Sequence, residues 1–181
     1  MEFIKTTLKD AYLIKPQVFG DNRGFFLESY SKKKFEKEGI DAEFVQDNHS
    51  KSEKKGTLRG LHFQAPPYTQ AKLIRVVKGK ILDVIVDLRR DSETFGQWEA
   101  FEISAENFQM LFVPRGFAHG FMTIEDNTEV LYKADNFYEP SHEGGIAWND
   151  SDLKINWPLE NPILSERDSK WPNLKNLDNP F

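Results

Sequence analysis

No cysteine occurs among the 181 residues of this chain. That absence removes disulfides, iron–sulfur clusters, thiol nucleophiles and zinc–thiolate sites together, and it suits a reducing compartment. Histidine and methionine are scarce, at four and three residues. No apolar run approaches the ~20 residues that a membrane-crossing helix needs. The N-terminal "MEFIKTTLKDAYLIK" carries charges every few residues and has no apolar centre, so it reads as neither a signal nor a transit peptide. A positive excess is missing as well. The formal net charge is −5, which argues against general nucleic-acid binding. A few convergent cations in a cleft can still outweigh the global field and hold a small anion. These features predict a soluble, cytoplasmic protein with no nucleic-acid and no membrane partner. A chain this long buries roughly 70% of its unfolded surface and needs no covalent or metal staple. It reads as a single domain over residues 1–181.

What is there is mostly strand. "FFLESY", "TLRGLHFQ", "KLIRVV", "ILDVIVDL", "QWEAFEIS", "QMLFV", "FAHGFMTI" and "TEVLYKAD" are short, rich in β-branched and aromatic residues, and separated by turn chemistry. Lys78-Gly79 is expected to make a tight hairpin between two apolar runs, and "PRG" and "EDNT" mark two further reversals. Only "SKKKFEKEG" reads as a helix, solvated on its basic face, with Ser31 as N-cap and Gly39 as its stop. From Tyr138 onward Pro, Asn, Asp and Trp accumulate, as in a cover of loops and helical turns. Many short strands at regular spacing predict an all-β sandwich or barrel. "KLIRVV" and "ILDVIVDL" are apolar on both faces, so the second face should meet another sheet or a second subunit, and a homodimer is expected.

The stretch "GTLRGLHFQ" sets His62 in an apolar strand, with Arg59 just before it and Lys72 soon after. The two cations disfavour an imidazolium, so His62 is expected to be neutral and able to act as a base. A lysine beside the same ligand atom can hold negative charge that develops on a carbonyl oxygen. Tyr132, in "TEVLYKAD", offers a weak acid. Arg59 and His62 have opposite parity in a regular strand and would face opposite sides. Gly60 between them allows a bulge that would turn both into one cavity.

"PRGFAH" has the Pro-x-Gly-x-x-His spacing of the second half-motif of cupin barrels. The first half-motif would place two histidines one residue apart, followed by a glutamate. Here those places read His62-Phe63-Gln64, with Gln70 near the acid's position. Two distant imidazoles without a carboxylate make a poor first set of ligands for a divalent ion, so no metal is expected.

Several long motifs, in order, carry a resemblance: "FGDNRGFFLESY", then "FVQDNHSKSEKKGTLRGLHFQAPPYTQAKLIRVVKGKILDVIVDLRRDSETFGQWEAFEIS", "LFVPRGFAHGF", "YKADNFYEP", "GIAWND" and "LSERD". The chain resembles the dTDP-4-dehydrorhamnose 3,5-epimerase family nearly end to end. The resemblance implies a double-stranded β-helix (cupin or jelly-roll) barrel with a few short peripheral helices, usually a homodimer, acting without metal or organic cofactor on a dTDP-4-keto-6-deoxy sugar. His62 would be the base, with Asp168 fixing its tautomer; Asp83, on a central strand, is a rival orienter. Lys72 would stabilise the enolate oxygen and Tyr132 would be the general acid on the opposite face. Arg59 would meet the diphosphate. Arg23 and Glu28 would reach the nucleotide, across the dimer if need be, and Gln46, Asp47 and Asn48 would serve the base and sugar hydroxyls. His119 and Glu143 would line the sugar end. Arg167 stands where the family often has lysine, so a contact made there by a compact ammonium would change. His49 and His142 read as surface or structural.

Three other readings keep part of this pattern. One is an epimerase acting at a single carbon, another a non-catalytic nucleotide-sugar binding module, and the third a metal-dependent cupin enzyme. The set His62, Lys72, Tyr132 and Asp168 favours catalysis, because binding alone needs no base, orienter and acid.

Overall fold

A computed structural model describes all 181 residues. Thirteen strands follow one another as β1 (Glu2–Lys5), β2 (Tyr12–Lys15), β3 (Val18–Asp21), β4 (Gly24–Leu27), β5 (Gln46–Ser52), β6 (Leu58–Gln64), β7 (Lys72–Lys78), β8 (Lys80–Asp87), β9 (Trp98–Ser104), β10 (Met110–Val113), β11 (Phe117–Thr123), β12 (Thr128–Ala134) and β13 (Glu143–Gly145). One helix, α1 (Lys32–Lys37), lies between β4 and β5. Two antiparallel sheets form the body, in the orders β1-β2-β10-β7-β12-β5 and β13-β6-β11-β8-β9, and β3 and β4 make a separate hairpin. This is the expected jelly-roll barrel.

The inner faces of the two sheets meet over a core of Ile74, Val76, Ile81, Ile85, Ile103, Leu111, Phe121 and Val130. Strand alternation sends Val84 and Val86 to the other side of β8. There the C-terminal segment covers them, with Leu153, Trp157 and Phe181 packed in the same cluster. Leu73, on the outer face of β7, is likewise buried with Phe35 of α1 and Ile40. The second apolar faces of these two strands are therefore satisfied largely within the chain.

Lys78-Gly79 does not make a hairpin. β7 belongs to the six-stranded sheet and β8 to the five-stranded one, so the turn carries the chain from one wall of the barrel to the other. Gly79 has φ of +75°, a left-handed backbone that glycine adopts without the Cβ penalty. The helix starts where expected, after Ser31, but the serine side chain makes no cap bond. Gly39 follows its end with φ of +79°, in keeping with a left-handed C-terminal stop.

β5 reads "QDNHSKS" and carries no apolar alternation, which is why its strand character is hidden in the sequence. It pairs with β12 over seven residues, from Gln46 opposite Ala134 to Ser52 opposite Thr128. Its inward residues are polar because they line a cavity and not the core.

Candidate active site

Residues of both sheets enclose a cavity of about 400 Å³, lined among others by Gln46, Asn48, Arg59, His62, Lys72 and His119. Tyr132, Glu143, Arg167 and Asp168 complete its polar wall. It draws on both sheets and on the C-terminal segment, so no local stretch of sequence contains it.

β6 delivers two of these groups through an irregular ladder. His62 lies opposite His119 and Arg59 opposite Phe121, so Gly60 and Leu61 together face Gly120 alone. The extra residue is a bulge, and it reverses the parity that would otherwise separate Arg59 from His62. Gly60 has φ of +122°, and a Cβ there would sit 2.5 Å from the Gly120 Cα and 2.8 Å from the His119 carbonyl oxygen. Both side chains reach the cavity as the glycine between them predicts.

His62 Nε2 lies 2.5 Å from Asp168 Oδ1. The aspartate is almost fully buried and comes from the C-terminal segment, where its amide donates to Ser165 Oγ at 3.1 Å. Burial works to raise the Asp168 carboxyl. The hydrogen bond and charge of His62, with smaller help from Ser165 and Arg167, outweigh it and hold the group below the usual carboxylate range. With Nε2 committed to the carboxylate, Nδ1 is the ring nitrogen left to take a proton.

Asp83, the rival orienter, is elsewhere. It is fully buried and its Oδ1 lies 2.5 Å from His119 Nε2. Two histidines thus line the cavity, each paired with a different carboxylate. Lys72, at the start of β7, is pushed down to about 8 by burial, with Glu143 and Asp83 acting in the opposite sense. Tyr132 is pushed up, first by burial and then by Glu143, with Arg59 working against the rise. It stays a protonated phenol at neutral pH.

Arg59 donates from Nε to Ser52 Oγ at 3.2 Å and from Nη2 to the Lys51 carbonyl at 3.1 Å. The edge of its guanidinium is thus anchored to β5. Gln46 donates to Asn48 Oδ1 at 3.1 Å and accepts from the Tyr138 amide at 3.0 Å. Glu143 accepts from the Tyr138 hydroxyl at 3.0 Å and from Arg167. Tyr138, Ser50, Phe121 and Ser165 also line the cavity and were not singled out by sequence; Gln70, noted only for its place in the cupin pattern, lines it too. Tyr138 carried a signal, since "NFYEP" places an exposed aromatic beside site residues.

Three sequence-based assignments lie outside the cavity. Asp47 alternates with Gln46 and Asn48, so it points to the opposite face of β5 and pairs with Lys133 at 2.8 Å. Arg23 is highly exposed at the tip of the β3–β4 hairpin and pairs with Asp21 at 2.5 Å. Glu28 pairs with Lys34 at 2.6 Å. Within one chain none of the three meets the cavity. His49 is bound to Glu129 at 3.1 Å on the surface, and His142 packs on Tyr68.

The donor set does not suit a metal. No group of three or more His, Asp or Glu side chains is gathered to hold an ion. Gln64, at the place of a cupin's second histidine, donates to the Tyr68 and Phe137 carbonyls and accepts from the Glu139 amide. Its polar atoms tie loops together.

Comparison with known proteins agrees with this architecture. The family model described as dTDP-4-dehydrorhamnose 3,5-epimerase matches residues 5–176. A Shigella flexneri protein of that name is 52% identical over 169 residues, 93% of each chain. The solved Bacillus anthracis enzyme of that name, with TDP and PPi bound, superimposes with a TM-score of 0.93 at 52% identity, covering 95% of this chain and 98% of its own. A Legionella pneumophila dTDP-6-deoxy-D-glucose-3,5-epimerase in complex with dTDP-4-keto-L-rhamnose gives 0.94 at 42% identity, over 98% and 94%. Fold and sequence thus agree over nearly the whole length, and the chain belongs to the dTDP-4-dehydrorhamnose 3,5-epimerase family.

Proposed function

We propose that His62, Lys72, Tyr132 and Asp168 are the acid–base machinery by which this epimerase inverts C3 and C5 of dTDP-4-dehydro-6-deoxy-D-glucose, giving dTDP-4-dehydro-L-rhamnose. The ketone at C4 acidifies the hydrogens on both neighbouring carbons. His62, its ring fixed by Asp168, takes one of these protons. The C–H electron pair moves into an enolate, whose oxygen the Lys72 ammonium shelters. Tyr132 returns a proton to the opposite face of the same carbon, and the centre is inverted. Solvent then removes the proton from His62 and restores the one lost by Tyr132, before the cycle repeats at the second carbon. Each acid or base of this kind is typically worth roughly 10²–10⁴-fold.

The observation that carries this reading is the convergence of a carboxylate-paired histidine, a lysine and a protonated tyrosine on one cavity. Arg59 supplies the guanidinium for the diphosphate. Gln46 and Asn48 offer amides to the base and sugar hydroxyls. His119, Glu143 and Arg167 line the sugar end.

A homodimer is part of the same proposal. Phe19, Phe25 and Phe26 on the β3–β4 hairpin are each more than half exposed, at 54%, 57% and 69%. A second copy would cover these rings and bring Arg23 and Glu28 to its own cavity. A cytoplasmic location is also proposed, in keeping with a nucleotide-sugar substrate.

Solvent-deuterium exchange at C3 and C5, read by proton NMR, tests the reaction. Exchange at both carbons with inverted product is expected. Exchange at one carbon alone would reduce the enzyme to a single-centre epimerase, and tight binding without exchange would make it a binding module.

A further inference from the structure

Asp83 has no task in the scheme above, yet it occupies a demanding position. It lies on the inward face of β8 between Ile81 and Ile85, fully buried. One oxygen meets His119 diagonally across the ladder in which Asp83 faces Phe121 and His119 faces Ile85. The other, Oδ2, is buried with no hydrogen-bond partner. An ionised carboxylate among apolar side chains is costly unless its charge is answered, and packing alone gives no reason for one.

We propose that Asp83 is a positioning residue for the epimerisation: without touching the sugar, it fixes the His119 ring by accepting its Nε2–H, and together with Glu143 it favours the ammonium form of Lys72. The inference rests on the reading that Lys72 shelters the enolate. Lys72 is not met by a direct ion pair, and the carboxylates that act on it at longer range are Glu143 and Asp83.

Among the other charged groups around the cavity, Glu143 also favours the Lys72 ammonium, and ahead of Asp83. Glu143, on β13, is shared between Arg167 and Tyr138. Asp168, on the C-terminal segment, is bound to His62 of β6. Arg59, also on β6, opposes a second cation. Tyr132, on β12, is kept neutral by burial and by Glu143. Of these carboxylates, Asp83 alone keeps a buried oxygen without a partner.

Asp83→Asn preserves the shape and removes the charge. Its kcat/KM profile is expected to lose activity at lower pH on the basic side, with kcat down about tenfold or more and dTDP affinity unchanged. A residue needed only for folding would lower Tm and leave that limb in place. A folded variant with an unmoved limb would overturn the proposal. If the variant does not fold, nitrogen-15 NMR of His119 in the unaltered enzyme decides: hydrogen on Nε2 is expected, and hydrogen on Nδ1 overturns it. Lys72→Met separates the two layers. Full turnover in that variant refutes the enolate-sheltering reading itself. Lost turnover there, with an unmoved limb in Asp83→Asn, refutes the role of Asp83 alone.

Discussion

Asp168 and His62 are separated by 106 residues in the chain and by 2.5 Å between Oδ1 and Nε2. The barrel wall supplies the histidine proposed as the base, and the C-terminal segment supplies the carboxylate. In the proposed reaction the contact does two things at once. It would fix which ring nitrogen carries the hydrogen, and it would place a negative charge where an imidazolium forms.

Asp168→Asn should therefore lower kcat by roughly 10²–10⁴-fold with little change in dTDP affinity, because the amide keeps the contact but not the charge. Steady-state kinetics and calorimetric titration with dTDP check this. The same pair links to stability. The carboxyl is held below its ordinary value of 3.8, so its stabilising contribution is complete above that value and is lost as pH falls through the lower folded value. Asp168→Asn should flatten the acid-side decline of Tm; an unchanged decline would show that the pair does not contribute to it.

Tyr132→Phe removes the proposed acid and leaves the proposed base. Deprotonation at C3 and C5 should continue, so deuterium should still enter the substrate, while inversion falls by about 10²-fold or more. Proton NMR in deuterated solvent measures both quantities in one experiment. A parallel fall of exchange and inversion would mean that one group serves both faces of the sugar.

Much of this site was legible before any coordinates. His62 stood out as a histidine in an apolar strand between two cations, and Gly60 announced the bulge that resolves its parity conflict with Arg59. The resemblance named Asp168 as the companion of His62, and the two are in contact. The residues by themselves left Asp83 as a rival, and the strand register that sets His119 diagonal to Asp83 removes it. β5 was hidden for the reason that makes it useful: Gln46, Asn48 and Ser50 face a cavity, so the inward side of the strand is polar. The Lys78-Gly79 turn misled because a glycine turn between two apolar runs looks the same whether the chain folds back within one sheet or crosses to another.

Lys72 predicts a pH limit on activity. Burial lowers its ammonium from 10.5 to about 8. The charged form, which is proposed to shelter the enolate, is present below that value and is lost as pH rises through it. The kcat/KM profile should therefore fall on the basic side near pH 8 and not near 10. Stopped assays across the alkaline range, with dTDP binding as a control for folding, show where the limb lies. A plateau continuing to pH 10 would remove Lys72 as the titrating electrophile.

Gly60 offers a test of how backbone geometry builds the site. At φ of +122° a side chain is strained whatever the space, and here there is none, because Gly120 Cα and the His119 carbonyl crowd the Cβ position. Gly60→Ala should cost about 1–3 kcal/mol from the strained backbone alone, seen as a lower Tm and an earlier urea midpoint. The functional loss should exceed the loss of folded protein. Relief of the clash requires β6 to shift away from β11, and that shift displaces both Arg59 and His62 from their places on the cavity wall. Turnover corrected for the folded fraction should fall, with weaker dTDP binding through Arg59 and slower exchange through His62. An alanine variant with full turnover per folded molecule would show that the bulge tolerates a side chain and that parity is set by some other contact.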